Sequence, residues 1–141
     1  MPGDDTIPIY IHINSDGGDA DAAVGVLDTM ESLIEQGAKI VTIVEGSASS
    51  AATIISVGAS ERRIRPNAYM RVHQFTTGIF GKKSVLDDEH GNLEKFEEMM
   101  CRIYKKHTNM NKSQLKKLLG RELDLTPNEC INKGLVDCIQ R

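Results

Sequence analysis

Residues 40–52 read IVTIVEGSASSAA, in which a β-branched run passes into small residues and then into an apolar stretch that ends near Gly58. The run favours a strand, and the residues after it favour a short helix over about 50–57. Such a junction can place a serine hydroxyl at a helix N-terminus, where unpaired N–H groups stabilise developing negative charge. That position suits a serine nucleophile in acyl transfer. Taken alone, the segment fits a closely packed helix capped by serine even better.

Strand and helix patterns alternate on the amino-terminal side of this stretch. Isoleucine occupies every second position from Ile7 to Ile13, which predicts a strand over 7–13. The turn Asp16-Gly17-Gly18 ends this strand, and apolar residues at helical spacing predict a helix that Gly37 ends. A second strand over about 39–44 leads into the small residues. Strand, helix and strand in this order predict a parallel βαβ unit.

The rest of the chain contains more helix than strand. Its predicted elements are extended segments at Ile64 and Met70–Val72 around the Pro66-Asn67 turn, helices over about 85–107 and 112–119, a helix from the Thr126–Glu129 capping box to Gly134, and a strand over 136–139. The fold class is therefore expected to be α/β, with a parallel core and a helical extension.

The composition is that of an ordinary globular chain. Of the 141 residues 40% are hydrophobic and 26% charged, with a net charge of −3, so we expect a single domain over 1–141 and no nucleic-acid partner. No apolar run approaches a membrane span and no signal-peptide pattern opens the chain, so we expect no membrane partner. The three cysteines lack CxxC or Cys/His metal spacing, which favours free thiols in a reducing cytoplasm.

Two strand-to-helix junctions contain the residues suited to chemistry, Asp16-Gly17-Gly18 and Gly46–Ala52. In a parallel sheet they lie side by side at the carboxyl edge, where ligands of open α/β sheets bind. A Gly-Gly turn can direct a backbone N–H at a substrate, although a plain turn explains it equally well. The turn matches neither a GxGxxG nor a Walker pattern, so we expect no nucleotide cofactor.

A nucleophilic serine needs a histidine as base and an acid that orients it. His73 follows the extended segment Met70–Val72, whereas His12 lies inside a strand and His90 and His107 lie on or near the charged long helix. A lone histidine is more often structural than catalytic, and the chain contains many carboxylates. The residues by themselves therefore leave the role of His73 and the choice of acid open.

Several motifs in one order, from Ile7 to Ile139, resemble the proteolytic subunit of the Clp protease family. The segments that resemble it are Ile11–Gly18, with Asp16 where proline is usual, Gly46–Ala52, Arg65–Ala68, Met70–Gln74, His107-Thr108, Leu125–Glu129 and Gly134–Asp137. The resemblance implies an α/β fold of the crotonase-like type, a βαβ superhelix with a helical handle extension over about 75–108.

By position, the resemblance assigns roles to individual residues. Ser50 is expected to be the nucleophile, with Ser49 as the competing choice, and His73 the general base. The backbone N–H groups of Gly18 and Ala51 are expected to form the oxyanion hole.

The third member of the triad departs from the family pattern. The family's aspartate lies four residues before the Ser or Thr that starts the last helix, and counting back from Thr126 gives Glu122. Asp124 is the alternative acid, at a position that the family usually fills with an aromatic or apolar residue. Because glutamate can orient an imidazole in hydrolases, we expect Glu122 to be the acid.

The resemblance implies a serine endopeptidase that hydrolyses peptide bonds in peptides or unfolded proteins, within a homo-oligomer of stacked rings. It implies no metal and no nucleotide cofactor in this chain. An ATP-driven unfoldase is the expected further partner, but the family segment that forms an axial gate and helps to dock it has little counterpart before Ile7. Two alternatives stay open: a catalytically silent ring subunit, and an acyl-CoA hydratase-like enzyme with similar paired N–H groups around a thioester oxygen.

Overall fold

A parallel β-sheet lies at the centre of the computed structural model, which describes residues 6–73 and 80–141. Its strands are β1 (Ile9–Ser15), β2 (Ile40–Ser49), β3 (Glu61–Ile64), β4 (Tyr69–Arg71) and β5 (Cys138–Ile139). The helices are α1 (Ala20–Glu35), α2 (Ala51–Val57), α3 (Lys83–His107), α4 (Lys112–Leu119) and α5 (Pro127–Asn132). These elements confirm the expected α/β class with a parallel core and a helical extension.

The sheet is built around β2. On one side β2 pairs with β1, from Ile9 opposite Ile40 to Ser15 opposite Ala48. On its other side the first half pairs with β3 and the second half with β4, while β5 pairs with β3. All of these strand pairs are parallel, so the carboxyl ends of β1, β2 and β4 meet at one edge of the sheet.

The second strand is longer than its sequence pattern predicts. The β-branched run ends at Val44, but β2 continues to Ser49 because its small residues pair with both β1 and β4. Gly46 has a φ of +70° at the point where the pairing partner changes. Beside it, Ser47 N donates to the Asn14 side-chain oxygen (3.3 Å), which holds the two strands together across this irregularity.

The outer strands also differ from the prediction. β1 begins at Ile9 rather than Ile7, because pairing starts where Ile9 N donates to Lys39 O (2.8 Å). β5 covers only the last two residues of the predicted 136–139 strand. The amides of Leu135 and Val136 donate instead to Cys130 O, so this part of the chain folds back on α5.

Local signals set the helix ends as predicted. Gly37 follows α1 with a φ of +97°, and Thr126 and Glu129 form the expected capping box of α5. In α1, the Asp19 carboxylate accepts a hydrogen bond from Ala22 N (2.9 Å) and caps the helix.

The long helix α3 has an exposed first part and a buried last part. Val85 and Leu86 are exposed, whereas Met100, Cys101 and Tyr104 are buried. The last turns therefore anchor the helix in the core. Residues 75–79 of the expected handle lie outside the described ranges. Over 6–73 and 80–141, no helix is both long and apolar enough to cross a membrane.

The chain between α4 and α5 returns to the sheet beside β4. Met70 N donates to Leu125 O (3.1 Å) and Leu125 N donates to Met70 O (2.7 Å), which forms an antiparallel bridge. Further along, the Arg62 guanidinium donates to Gly134 O (2.6 Å) and to the Asp137 carboxylate (2.7 Å). These contacts attach the carboxyl-terminal region to β3 and β4 and bring residues 121–126 to the carboxyl edge of the sheet.

Candidate active site

Ser50 lies between β2 and α2 in an unusual backbone conformation. Its φ is +56° and its ψ is −125°, and no other non-glycine residue within 6–73 and 80–141 has a positive φ. A conformation of this kind costs of the order of 1–3 kcal/mol and resembles the strained turn that presents the nucleophile in α/β-hydrolases. A serine does occupy the N-cap position of α2, but the Ser50 hydroxyl makes no capping hydrogen bond there.

The Gly17-Gly18 turn packs directly against this serine. A Cβ built on Gly17 would lie 2.8 Å from both Ser49 O and Ser50 Cβ and 3.3 Å from Ala51 N, so only glycine allows this approach. Gly17 N donates to Ser15 Oγ (3.1 Å). The amides of Gly18 and Ala51 donate to no acceptor within the described residues, which leaves two backbone N–H groups near Ser50 available to a ligand.

The strand that leads to His73 is paired with the strand that leads to Ser50. Ser49 is opposite Arg71 in the β2–β4 register, and Ser50 N donates to Arg71 O (2.9 Å). Parallel pairing therefore brings the residues that follow each strand, Ser50 and His73, to the same edge of the sheet. Gln74, the last residue of the sequence motif that contains His73, lies outside the described ranges.

His73 contacts Glu122. The distance between His73 Nδ1 and Glu122 Oε1 is 3.0 Å, and the two side chains are 22% and 66% exposed. Glu122 reaches this position because the Met70–Leu125 bridge holds residues 121–126 beside β4. A carboxylate on Nδ1 accepts the proton there and leaves Nε2 unprotonated, which is the tautomer that a general base requires.

Asp124 contacts Arg71 instead. Arg71 Nε donates to Asp124 Oδ1 (2.7 Å), and this hydrogen bond holds the pKa of the Asp124 carboxyl below its usual range. Arg71 Nη1 also lies 3.8 Å from Glu122 Oε2. Sequence reasoning did not select Arg71, which contacts both carboxylates; its position at the end of β4, two residues before His73, was the available signal.

Two of the hollows in the described part of the chain flank this edge of the sheet. One, of about 240 Å³, is lined by apolar side chains and by ionisable ones: Leu93, Phe96, Met100 and Leu119, with His73, His90, Glu94 and Glu97. The other, of about 330 Å³, is lined by residues of the β1–α1 turn and of α2, including Gly18 and Ala51. Among the side chains of residues 6–73 and 80–141, no three His, Cys, Asp or Glu are grouped as a metal ion requires.

Comparison with known proteins identifies the family. Residues 3–141 match the sequence model of the family described as Clp protease. The chain belongs to the Clp protease family. Within this family, a relative from Treponema denticola, named ATP-dependent Clp protease proteolytic subunit 2, is 33% identical over 138 residues that cover 96% of this chain and 68% of the relative.

Two further relatives share the name ATP-dependent Clp protease proteolytic subunit. The one from Nephroselmis olivacea is 28% identical over 96% of this chain and 65% of its own length. The one from Mesostigma viride is 29% identical over 95% of this chain and 58% of its own length. The chain therefore spans between 58% and 68% of the length of these three relatives in the Clp protease family.

Proposed function

We propose that this chain is a serine-type endopeptidase, with Ser50 as nucleophile, His73 as general base and Glu122 as the residue that orients the base. The observation that carries the proposal is the backbone of Ser50, a strained serine whose hydroxyl is not used as a cap and whose strand is paired with the strand before His73. Such strain concentrates at active sites, where the surrounding structure enforces it. The His73–Glu122 contact supports Glu122 as the acid.

In the proposed reaction, Ser50 Oγ attacks the carbonyl carbon of a peptide bond while His73 Nε2 takes the hydroxyl proton. The Glu122 carboxylate stabilises the resulting imidazolium. The N–H groups of Gly18 and Ala51 donate to the oxyanion of the tetrahedral intermediate. His73 then gives its proton to the leaving amine, and water releases the acyl group from Ser50 with the same base.

The substrate is proposed to be an extended peptide that lies beside the Gly17-Gly18 turn, at the end of β1. The hollow bordered by His73 would receive a substrate side chain, and Leu93, Phe96 and Met100 would form the apolar part of its wall. Backbone hydrogen bonding at a strand end combined with a pocket for one side chain is a common mode of peptide recognition.

The active form is proposed to be a homo-oligomer of stacked rings in the cytoplasm. Val85 and Leu86 are exposed on the first turns of α3, and a second copy of the chain would cover them. The relatives are named ATP-dependent, and we propose that an ATP-driven unfoldase supplies this chain with unfolded substrate. The reaction as written uses only groups of this chain and water.

Labelling with a fluorophosphonate, combined with hydrolysis of fluorogenic peptides, tests the nucleophile. We expect the wild type to cleave the peptides and to acquire the label on Ser50, as located by mass spectrometry. Ser50→Ala is expected to lose both reactions, and Ser49→Ala, the matched control one residue away on β2, is expected to keep both. Cleavage by Ser50→Ala, or a label on Ser49, would refute the proposal.

The two alternatives predict different outcomes in the same preparation. A catalytically silent ring subunit would assemble, as judged by size-exclusion chromatography with light scattering, without labelling at Ser50. An acyl-CoA enzyme would bind acyl-CoA in a calorimetric titration and would leave the peptides uncut. The endopeptidase predicts labelling, cleavage and no acyl-CoA binding.

A further inference from the structure

A chain of buried hydroxyl groups connects the long helix α3 to Ser50. Thr53 Oγ1, in α2, donates to Ser50 O (2.6 Å) and is hydrogen-bonded to the Tyr104 hydroxyl of α3. Thr53 and Tyr104 are both fully buried. A threonine hydroxyl has a single hydrogen, so donation to Ser50 O leaves the Thr53 oxygen to accept from Tyr104. The chain of donors therefore runs from Tyr104 to Thr53 to Ser50 O.

The carbonyl at the end of this chain belongs to the same peptide unit as the Ala51 amide. In a trans peptide the C=O and the N–H point in opposite directions within one plane, and no cis peptide bond occurs in the described ranges. Fixing the direction of Ser50 O therefore also fixes the direction of Ala51 N–H. That amide lies on the side of the Gly17-Gly18 turn, where a Cβ on Gly17 would come within 3.3 Å of Ala51 N.

We propose that Thr53 and Tyr104 are positioning residues that hold the Ser50–Ala51 peptide plane so that Ala51 N–H points into the oxyanion hole. This inference rests on the proposed peptidase function and adds two residues to its machinery, neither of which touches substrate. Thr53 N also donates to Ser50 O (2.9 Å), so the carbonyl receives two hydrogen bonds from one residue, and only the hydroxyl bond depends on α3.

The surroundings of Tyr104 suit this role. Burial raises the pKa of the Tyr104 phenol well above its ordinary value, so the group stays a neutral donor at any pH at which the protein is assayed. The contact with Thr53 Oγ1 matters because a buried hydroxyl such as that of Tyr104 is unfavourable without an acceptor. The anchored last turns of α3 can therefore fix the geometry of a peptide bond at the site without contact with the substrate.

Four variants test the inference. Removing an oxyanion donor outright lowers kcat by about 10²–10³-fold. In Thr53→Val the Thr53 N–H still donates to Ser50 O, so we expect kcat to fall only about tenfold. Tyr104→Phe, which keeps the Thr53–Ser50 bond, is expected to lose about threefold, and Thr53→Ser should restore kcat to within about twofold. Thr42→Val is the matched control, because Thr42 Oγ1 makes an equivalent buried hydrogen bond to Ser56 O (2.8 Å) outside the chain of hydroxyls.

The readouts separate a positioning role from a structural one. A peptide boronate forms a tetrahedral adduct with serine, so its affinity should fall in Thr53→Val by the same factor as kcat, with KM within about twofold of wild type. Thr42→Val should change the free energy of unfolding but should change neither kcat nor the affinity for the boronate. Equal kcat and boronate affinity in Thr53→Val and wild type would overturn the inference and leave the peptidase proposal intact.

A readout that does not depend on activity completes the test. In ¹H–¹⁵N spectra of uniformly labelled protein, the Ala51 amide resonance should shift in Thr53→Val and Tyr104→Phe and stay in place in Thr42→Val. If the wild type shows neither cleavage nor labelling, the peptidase proposal fails on its own, and the Ala51 resonance still decides the positioning role. An Ala51 resonance that stays in place in both Thr53→Val and Tyr104→Phe would overturn the positioning role.

Discussion

The contact between His73 and Glu122 leads to the sharpest prediction about the site. Glu122→Gln keeps the size of the side chain and an oxygen that can accept from His73 Nδ1. It removes the negative charge and replaces the second oxygen, which lies 3.8 Å from Arg71 Nη1, by an NH2 group. With the two groups in hydrogen-bond contact at 3.0 Å, the charge centres lie about 4 Å apart. Two unit charges at that distance attract by about 1 kcal/mol in water and about 4 kcal/mol at a protein surface site.

The exposure of the pair decides where within this range the effect falls. Glu122 is 66% exposed and His73 22% exposed, so we take the attraction lost in Glu122→Gln to be about 2 kcal/mol. This corresponds to a kcat about 30-fold lower. Because salt screens exposed charges, the ratio between wild type and variant should shrink between low ionic strength and about 1 M salt. The assay is steady-state hydrolysis of a fluorogenic peptide at both ionic strengths.

Asp124→Asn is the matched control for this prediction. Asp124 holds Arg71 at 2.7 Å, and without that carboxylate Arg71 is free to approach Glu122, from which it lies 3.8 Å in the structure. We therefore expect a loss of about threefold or less, as for the removal of an exposed ion pair. A larger loss in Asp124→Asn than in Glu122→Gln, or an unchanged kcat in Glu122→Gln at low salt, would refute the reasoning.

Three further predictions concern packing and pH. Gly17→Ala should lower kcat at least about tenfold and lower Tm, because its Cβ would meet Ser49 O at 2.8 Å. Gly91→Ala is the control at an open helical position, and it should keep kcat and raise Tm by an amount equivalent to about 1 kcal/mol. Asp137→Asn should lower the urea midpoint at pH 7 by the equivalent of about 1 kcal/mol. Burial would raise the pKa of Asp137, but its hydrogen bonds from Arg62 hold the pKa below the usual range. The stabilisation is therefore complete above the unfolded-state pKa and is lost as the pH falls through the folded-state pKa. A difference in urea midpoint between Asp137→Asn and wild type that persists in acid would contradict this. Ser56→Ala should leave Tm unchanged or raise it, because the buried Ser56 hydroxyl has no hydrogen-bond partner in the described part of the chain, and a loss above about 1 kcal/mol in calorimetry would speak against this.

Local signals explain how much of the fold could be predicted. Gly37 and the Thr126–Glu129 capping box act over a few residues, and the helices that they bound begin and end close to where the sequence indicates. The end of β2 could not be predicted in this way. Small residues after Val44 have little strand propensity of their own, and they become strand only because β1 and β4 pair with them from both sides.

The candidate site likewise has one part that the sequence predicts and another that depends on contacts between distant residues. Ser50, His73 and the Gly-Gly turn follow from motifs at strand ends, and their roles stay predictions. Which carboxylate contacts His73 depends on Arg71, which binds Asp124 and leaves Glu122 beside the histidine. The family spacing from Thr126 predicts Glu122, whereas residue type alone does not distinguish these two acids.

The hydroxyl chain could not be predicted from sequence at all. Thr53 and Tyr104 are 51 residues apart, and each has an ordinary explanation as part of a helix core. Their contact exists only because the last turns of α3 pack against α2.

The central place of β2 in an all-parallel sheet also has a consequence for the order of folding. Parallel strands cannot form by hairpin closure, so the first stable unit is expected to be β1, α1 and β2, and the remaining pairings require distant parts of the chain to meet. The segment with Glu122 reaches β4 through the Met70–Leu125 bridge, across more than fifty residues of intervening chain. Glu122 is then the last of the site residues to arrive, and a refolding chain is expected to gain its sheet well before it gains a complete site.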